Sequence, residues 1–416
     1  MSLRRIILWK GHHDQAFARA FAETWEQDGQ LLIVCPPVLR DLSFLLQLPP
    51  APVFFAGDWE EEFRGLTLTA GTGGSSGTAG YPAMPVLGVF TTGTTRDLPK
   101  LILYTRDNIA SCQRAIFALF DTSRIRTVFS YPQPYYVFGL TLGYATAHIN
   151  GWNLVAPAGK YTTDHHRQWL ACGDERMLTL ATPAHLSDLA QYCRQSGAQP
   201  RPTYTCILGG ARVERGAWLT ARDELAIAAP SIGYGCAEAS PGISHLAPGV
   251  EPVTGGEIGR PLPHLHVSVL AEGGIRFSGP SLCLATIEDG VIHFPTDMLV
   301  RDRVNVQPDG SMVFAARTDM VLNRGGEKFS LEHIEVALKE QLGLDSICVA
   351  VPDQRLGQEL GVIIGRRPGV TRDQVFALLE QVFGRKFDLS RYRELDQIPL
   401  NDNSKPDRKS AALALH

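Results

Sequence analysis

The chain has 416 residues, of which 44% are apolar and 20% charged, with a formal net charge of −4. That is ordinary globular composition, with room for two or three domains and a large buried core. No basic block interleaved with aromatics suggests a nucleic-acid groove, and no stretch approaches the roughly 18 apolar residues of a membrane span. The eight cysteines stand singly, at 35, 112, 172, 193, 206, 236, 283 and 348. Without a C-x-x-C pair they argue against a zinc knuckle or a disulfide framework, and for reduced thiols in a cytoplasmic enzyme.

The N-terminal apolar run, Ile6 to Trp9, is too short for a secretory core of roughly 7–15 residues, so no signal peptide is expected. "RIILW" (5–9) reads as a strand. Residues 13–27 set Phe17, Phe21 and Trp25 four apart, on one helix face, and "LLIVC" (31–35) reads as a second buried strand. Together they predict a βαβ opening. "AGTGGSSGTAG" (70–80) is low-complexity; Ser76 stands where a dinucleotide pattern needs its third glycine, which favours a linker. From 127 to 300, "TVFSY", "WNLVAP", "TCILGG", "LAIAAP" and "HVSVL" alternate with helical stretches, as in an α/β body with substantial parallel sheet. Near the end, Ser330 can cap a helix bearing Leu331, Ile334, Leu338 and Leu342. "SICVAV" follows as a strand, and Thr371 with Gln374 forms a capping box for a helix bearing Val375, Leu378, Leu379 and Val382. The last hundred residues thus read as a small α+β unit, joined to the body near 315–326.

The chemistry is carried by short polar segments. "FTTGTTRDLPK" (90–100) follows the apolar run "MPVLGV"; its backbone N–H groups and threonine hydroxyls can hold phosphate oxygens, with Lys100 as a point charge. No Walker loop occurs, and "AGKYTT" (158–163) fails that pattern. "IGYGCAEAS" (232–240) sets an aromatic between glycines ahead of Glu238, where a ring can stack on a base and a carboxylate can hold magnesium. "ILGGAR" (207–212) is a strand ending in a glycine turn; "FPTDML" (294–299) offers an aspartate to ribose hydroxyls; "LNDNSKPDRK" (400–409) is a polar tail with a central lysine. Each alone is as well read as a turn, a cap or a solvated charge. The pairs His12-His13 and His165-His166 lack partners at metal spacing and are expected at the surface or at helix N-caps. Cys236 is expected to be a small packing residue.

In this order the segments resemble the acyl-adenylate-forming superfamily, which includes acyl- and aryl-CoA synthetases, over about residues 88–411. The resemblance runs through "TTGTTRDLPK", "PYYVFGL" (134–140), "GGA" (209–211), "GYGCAE" (233–238), "GGEIGRPLP" (255–263), "TD" (296–297), "ARTDMVLNRGGEKFSLEHIE" (316–335) and "PLNDNSKPDRK" (399–409). It implies a large N-terminal α/β domain with several sheets (1–316, abbreviated before residue 90). A hinge (317–320) would join it to a small C-terminal α+β lid domain (321–416).

The resemblance also implies residue roles. Thr91, Thr92, Gly93, Thr94, Thr95 and Lys100 would hold ATP phosphates. Gly209, Gly210 and Ala211 would line adenine beside Tyr234 and Gly235. Glu238 would hold Mg²⁺; Asp297 and Arg317 would bind ribose. Asp319 would be the hinge, and Gly325 and Gly326 would line the pantetheine channel. Tyr136, Phe138 and Gly233 would form the acid pocket. Lys405 would bridge the carboxylate and the α-phosphate.

The sequence departs from the family pattern at Arg96-Asp97-Leu98, which replaces a glycine and adds a residue. It departs also at Ala237, at Asn401 and Ser404, and in a "TD" without its middle glycine. The expectation is an ATP-dependent carboxylic acid–thiol ligase for an aryl or medium acyl acid, using ATP, Mg²⁺ and coenzyme A. Two alternatives stay open: a ligase loading the phosphopantetheine of an acyl carrier protein, and a degenerate member that binds nucleotide, acyl-CoA or a partner protein without turnover. A homodimer is compatible with either.

Overall fold

The structure is a computed structural model of the chain. It describes residues 2–11, 13–36, 39–64, 66, 68–71, 81–91, 100–159, 161–270, 273–317, 320–324, 327–354, 356–383, 391–400 and 406–415. The chain divides into two compact units. The larger comprises 1–268, 276–300 and 306–313; the smaller comprises 269–275, 301–305 and 314–416.

The larger unit begins with the expected βαβ. Strand Arg5–Lys10 pairs in parallel with Gln30–Cys35 and with Pro52–Gly57, in register Ile6↔Leu31 and Ile6↔Val53. Asp14 starts the intervening helix, Gln15–Glu26, by accepting from the N–H groups of Ala16 and Phe17, and the helix buries Phe17 and Phe21 while Trp25 stacks on Phe21. Apolar residues fill both faces of these strands because the sheet is covered on both sides. The sheet has eight strands in the order 291–293, 285–288, 100–104, 87–91, 30–35, 5–10, 52–57, 68–69. Strand Leu87–Thr91 is parallel to its inner neighbour, whereas Lys100–Tyr104 returns antiparallel beside it.

A second sheet contains four of the five runs expected between 127 and 300; the fifth, His266–Val269, belongs to a separate three-stranded sheet. Asn153–Val155, Thr127–Ser130, Met177–Ala181, Thr203–Leu208 and Ile227–Gly235 are successive parallel neighbours. Gly242–Leu246 and Glu257–Pro261 then add antiparallel strands. Between Thr127–Ser130 and Asn153–Val155 the chain forms a helix with wide, i→i+5 turns over Phe138–Ala145, which periodicity did not foretell. It is forced close to the preceding segment at Gly139, where a Cβ would lie 2.3 Å from the Pro132 carbonyl oxygen and 2.4 Å from that of Gln133.

The smaller unit carries the expected helices. Ser330 caps Leu331–Leu342 through the His333 N–H, and Thr371 and Gln374 exchange capping bonds ahead of Arg372–Phe383. Both pack on a three-stranded sheet of 346–353, 357–365 and 392–395, with Leu331, Ile334, Leu338, Val375 and Leu379 in one core. Arg408 closes the tail onto this sheet: it pairs with Glu335 and donates to the Cys348 carbonyl at 2.7 Å. Among the described residues no helix is long and apolar enough to cross a membrane.

One expectation is corrected. His13 is buried, and His165 and His166 do not lie at the surface either: they are only 2% and 3% exposed. His165 does serve the cap, accepting from the Thr162 N–H at 3.3 Å, but both rings pack inward because tyrosines enclose them.

Candidate nucleotide site

Strand Leu87–Thr91 leads into residues 92–99, and Lys100 opens the strand that returns. Thr91 and Lys100 are paired across the two strands, and the Thr91 hydroxyl donates to the Lys100 carbonyl at 3.4 Å. Both ends of the segment are therefore tied to the sheet, and Lys100 is fixed in backbone position. Its ammonium forms an ion pair with Glu238, which is 138 residues away in sequence.

Glu238 sits in the short turn Ala237–Ala239, just past strand Ile227–Gly235. The turn doubles back on the strand, and a Cβ on Gly235 would lie 1.7 Å from the Pro241 carbonyl oxygen. Only glycine fits there. Two buried groups fix the turn's backbone: the Tyr104 hydroxyl donates to the Ala237 carbonyl at 2.9 Å, and the Cys283 N–H donates to the Glu238 carbonyl at 2.8 Å. The left-handed Ser240 (φ 63°) continues the turn, and its hydroxyl donates to the Ser281 carbonyl at 2.8 Å.

Burial pushes the Glu238 carboxyl upward, but the Lys100 charge and hydrogen bonds outweigh it and hold it below the usual carboxylate range. Burial likewise works against the Lys100 ammonium, and the Glu238 charge more than offsets it, so its pKa rises. Beside the pair, burial drives the thiols of Cys236 and Cys283 up, and the Glu238 charge adds to this. Both stay protonated, and neither is equipped as a nucleophile.

The glycine segments meet the same region. Gly209 continues strand Thr203–Leu208, its N–H donating to the Ala181 carbonyl at 3.1 Å. A Cβ there would lie 2.9 Å from the Gly233 carbonyl oxygen and 3.7 Å from the Phe138 ring, so Gly209, Gly233 and Phe138 are neighbours. Gly210 follows with φ 75° and Ala211 is exposed. Tyr234 is half-buried at the register shift that ends its strand. Tyr136 packs on Tyr135, with ring centroids 4.5 Å apart.

Other expected residues are placed differently. Asp297 is bonded by Arg276, whose guanidinium donates to its Oδ1 at 2.8 Å. Arg317 ends strand Met312–Arg317, and its side chain lies outside the described set. Thr92, Gly93, Thr94, Thr95, Arg96, Asp97, Asp319, Gly325, Gly326, Asn401, Ser404 and Lys405 lie outside the described residues. Sequence reasoning missed Tyr104, Cys283 and Arg276. The first two act through backbone bonds that leave no motif; Arg276 alternates with apolar residues in a short strand, a pattern that carries no functional signal.

Among the described residues no group of three or more His, Cys, Asp or Glu can hold a metal ion. A single ionised carboxylate is nonetheless the donor that magnesium needs when phosphates supply its other ligands, so Glu238 fits that ion arriving with a nucleotide.

The fold is that of the adenylate-forming enzymes. It superposes on o-succinylbenzoate CoA synthetase from Bacillus subtilis, solved with its acyl-adenylate intermediate, with a TM-score of 0.73 at 15% identity, over 98% of this chain and 88% of that one. It matches MatB from Rhodopseudomonas palustris, solved with ATP, with a TM-score of 0.73 at 14% identity, over 100% and 89%. The profile of the AMP-binding enzyme family matches residues 62–279, more than half of the chain, and the chain belongs to that family. Among curated relatives, a 3-oxocholest-4-en-26-oate–CoA ligase of Rhodococcus rhodochrous is 31% identical over 114 residues, 26% of this chain and 20% of that protein. A 2-hydroxy-7-methoxy-5-methyl-1-naphthoate–CoA ligase of Streptomyces carzinostaticus is 30% identical over 117 residues, 27% of this chain and 21% of that protein. The chain thus spans about a fifth of the length of these curated relatives.

Proposed function

We propose that the chain is an ATP-dependent acid–thiol ligase. The observation that supports this best is the Lys100–Glu238 pair, held where the loop strand returns and beside strands that end in glycine. In this reading a carboxylate oxygen of the acid attacks the α-phosphorus of ATP. The α–β phosphoanhydride bond breaks, and pyrophosphate leaves with its charge. A thiol sulfur then attacks the carbonyl carbon of the mixed anhydride, gives up its proton to solvent, and expels AMP.

The first step needs cations against growing phosphate charge and few proton transfers. Lys100 leaves Glu238 for the β- and γ-phosphates, and the hydroxyls of Thr91 to Thr95 add donors. Glu238, released, would be free to hold Mg²⁺ arriving with the phosphates, and that ion would supply neutralisation of phosphate charge. Gly209, Gly210 and Ala211 leave room for adenine at the strand ends, with Tyr234 stacked on it, and Asp297 and Arg317 hold the ribose. Lys405 bridges the carboxylate and the α-phosphate. It then has to withdraw for the thiol, which gives Asp319 the part of a hinge and Gly325 and Gly326 that of a channel wall.

The acid is aryl or medium acyl. Residues 133–140 offer Tyr135, Tyr136 and Phe138 and no carboxylate, so a free α-ammonium would be buried unpaired there. The CoA ligase names of the relatives favour CoA as acceptor, with a carrier-protein phosphopantetheine as the variant of the same arm.

The test is pyrophosphate release over a panel of acids with ATP and Mg²⁺, with and without CoA. Acid-dependent release with cinnamate ahead of phenylalanine, then thioester on adding CoA, is expected. Lys405→Ala is expected to lose release by several orders of magnitude yet still convert a supplied acyl-adenylate to thioester. Nucleotide binding with no release for any acid would overturn the reading and leave a non-catalytic binder.

A further inference from the structure

Beside the strand that leads to Gly209, the carboxyl edge of the second sheet holds a polar chain that starts from a buried tyrosine. Strands Thr127–Ser130 and Met177–Ala181 end there at Tyr131 and Thr182. Helices Thr163–Cys172 and Pro183–Ser196 begin there, each with a histidine at its third position.

Four side chains are linked in series. Tyr131 Oη lies 3.2 Å from His166 Nδ1, and Tyr161 Oη lies 3.2 Å from His166 Nε2. The Tyr161 hydroxyl donates to Asp188 Oδ2, also at 3.2 Å. Because that hydroxyl has one proton and spends it on Asp188, it accepts from His166. His166 Nε2 therefore carries the ring proton, Nδ1 presents a lone pair, and the Tyr131 hydroxyl donates to it. The chain runs one way, from buried Tyr131 to exposed Asp188. It requires a neutral His166, and burial, with His165 nearby, pushes that imidazole down to about 4. His185 clamps the other side of Tyr131, its ring stacked at 5.0 Å and its Nδ1 accepting from the Thr182 N–H at 3.1 Å.

Tyr131 immediately precedes the segment with Tyr136 and Phe138. Its N–H is fixed on the Leu180 carbonyl at 3.1 Å, and the Ser130 hydroxyl donates to the Pro132 carbonyl at 2.9 Å. The carbonyls of Pro132 and Gln133 are the shelf against which Gly139 packs with no room for a Cβ. A displacement of Tyr131 therefore reaches the start of the helix that carries Phe138.

We propose that the relay Tyr131–His166–Tyr161–Asp188 is a positioning device for residues 132–139, and that it tunes which carboxylic acid the chain accepts. That this segment faces the acid rests on the ligase reading above; that the relay positions the segment does not.

Two measurements separate these. In ¹⁵N-histidine spectra of the intact protein at pH 7, His166 is expected as the neutral Nε2–H tautomer. Amide hydrogen exchange at Tyr136 and Leu140, whose N–H groups bond to the carbonyls of Gln133 and Tyr136, is expected to quicken at least tenfold in Tyr161→Phe. In turnover, Tyr161→Phe is expected to raise the KM for the acid severalfold and leave the KM for ATP unchanged. If Tyr161→Phe fails to fold, Asp188→Ala, at the exposed end, is expected to move the same amides in the same direction. A His166 found as the Nδ1–H tautomer or as imidazolium, or unchanged exchange at Tyr136 and Leu140, would overturn the relay. Quickened exchange with equal shifts in both KM values would overturn its part in acid selection. A wild-type protein with no acid-dependent pyrophosphate release would sink the ligase reading and, with it, acid selection; the tautomer and exchange results would still decide the positioning.

Discussion

Replacing Lys100 with methionine keeps the side-chain length and removes the charge. Glu238 is then left with its side chain 13% exposed, beside two thiols that burial keeps protonated. Two opposite charges in contact attract by roughly 5 kcal/mol at an effective dielectric near 20, and desolvation takes most of this back. Removing one partner leaves the desolvation uncompensated, so Lys100→Met should cost about 3–5 kcal/mol at neutral pH.

The pH dependence has a definite sign. In the native protein the Glu238 carboxyl titrates below its ordinary 4.5, so its contribution is complete above that value and is lost as pH falls through the lower folded value. The Lys100 ammonium titrates above its ordinary 10.5, so its contribution is complete below that value and is lost as pH rises through the folded one. In Lys100→Met burial is the largest influence left on Glu238, so the carboxyl takes up a proton more readily and the deficit shrinks from pH 7.5 toward 4.5. The assay is urea unfolding of the ligand-free protein, followed by the tryptophans of the larger unit. Adding Glu238→Gln to Lys100→Met should recover most of the loss. A deficit under about 1 kcal/mol at pH 7.5, or one that does not shrink in acid, would refute the reasoning.

Three further outcomes follow from the same structure. Burial pushes His166 down to about 4 and His185 and His245 to about 3, against an ordinary 6.5; their stability is complete above 6.5 and lost in acid, by roughly 4 kcal/mol per pH unit near pH 5 for the three together, and a thermal midpoint flat from pH 7 to 5 would contradict this. Gly139→Ala drives a Cβ to 2.3 Å from a backbone oxygen and should cost about 3 kcal/mol or more, whereas Gly151→Ala, in open space at φ 64°, should cost only about 1–2; equal midpoints for the two would count against the shelf. Arg408→Met strands Glu335 in the smaller unit and should cost about 3–5 kcal/mol there, read as faster hydrogen exchange along Ser346–Asp353; unchanged exchange would show that the pair is dispensable.

Local signals in the sequence were enough for several elements. The four-residue spacing of Phe17, Phe21 and Trp25 marks one helix face, and Ser330 before an apolar stripe and the Thr371–Gln374 box each encode a helix start through bonds that span only a few residues. The strand runs "RIILW" and "LLIVC" are legible because a sheet covered on both faces demands unbroken apolar residues. Lys100 and Glu238 stood out as functional candidates only through the order of several such segments along the chain, since each segment alone reads as well as a turn or a solvated charge.

What tertiary structure alone decided is which distant groups meet. The Lys100–Glu238 pair closes a separation of 138 residues; Tyr104, from the far end of the strand that Lys100 opens, and Cys283, just ahead of strand Ala285–Glu288, reach the turn around Glu238. Asp297 found Arg276 because the two lie within bonding reach in the larger unit, a fact of folding that spacing does not carry. His165 and His166 were expected at the surface or at a helix N-cap, since the sequence around them holds no partner at metal spacing. They are buried because Tyr131, from one strand end, and His185, from another helix, close over that edge of the sheet. Periodicity reports what one element needs from its own backbone; burial, charge pairing and the direction of a hydrogen-bonded chain depend on what packs across from it.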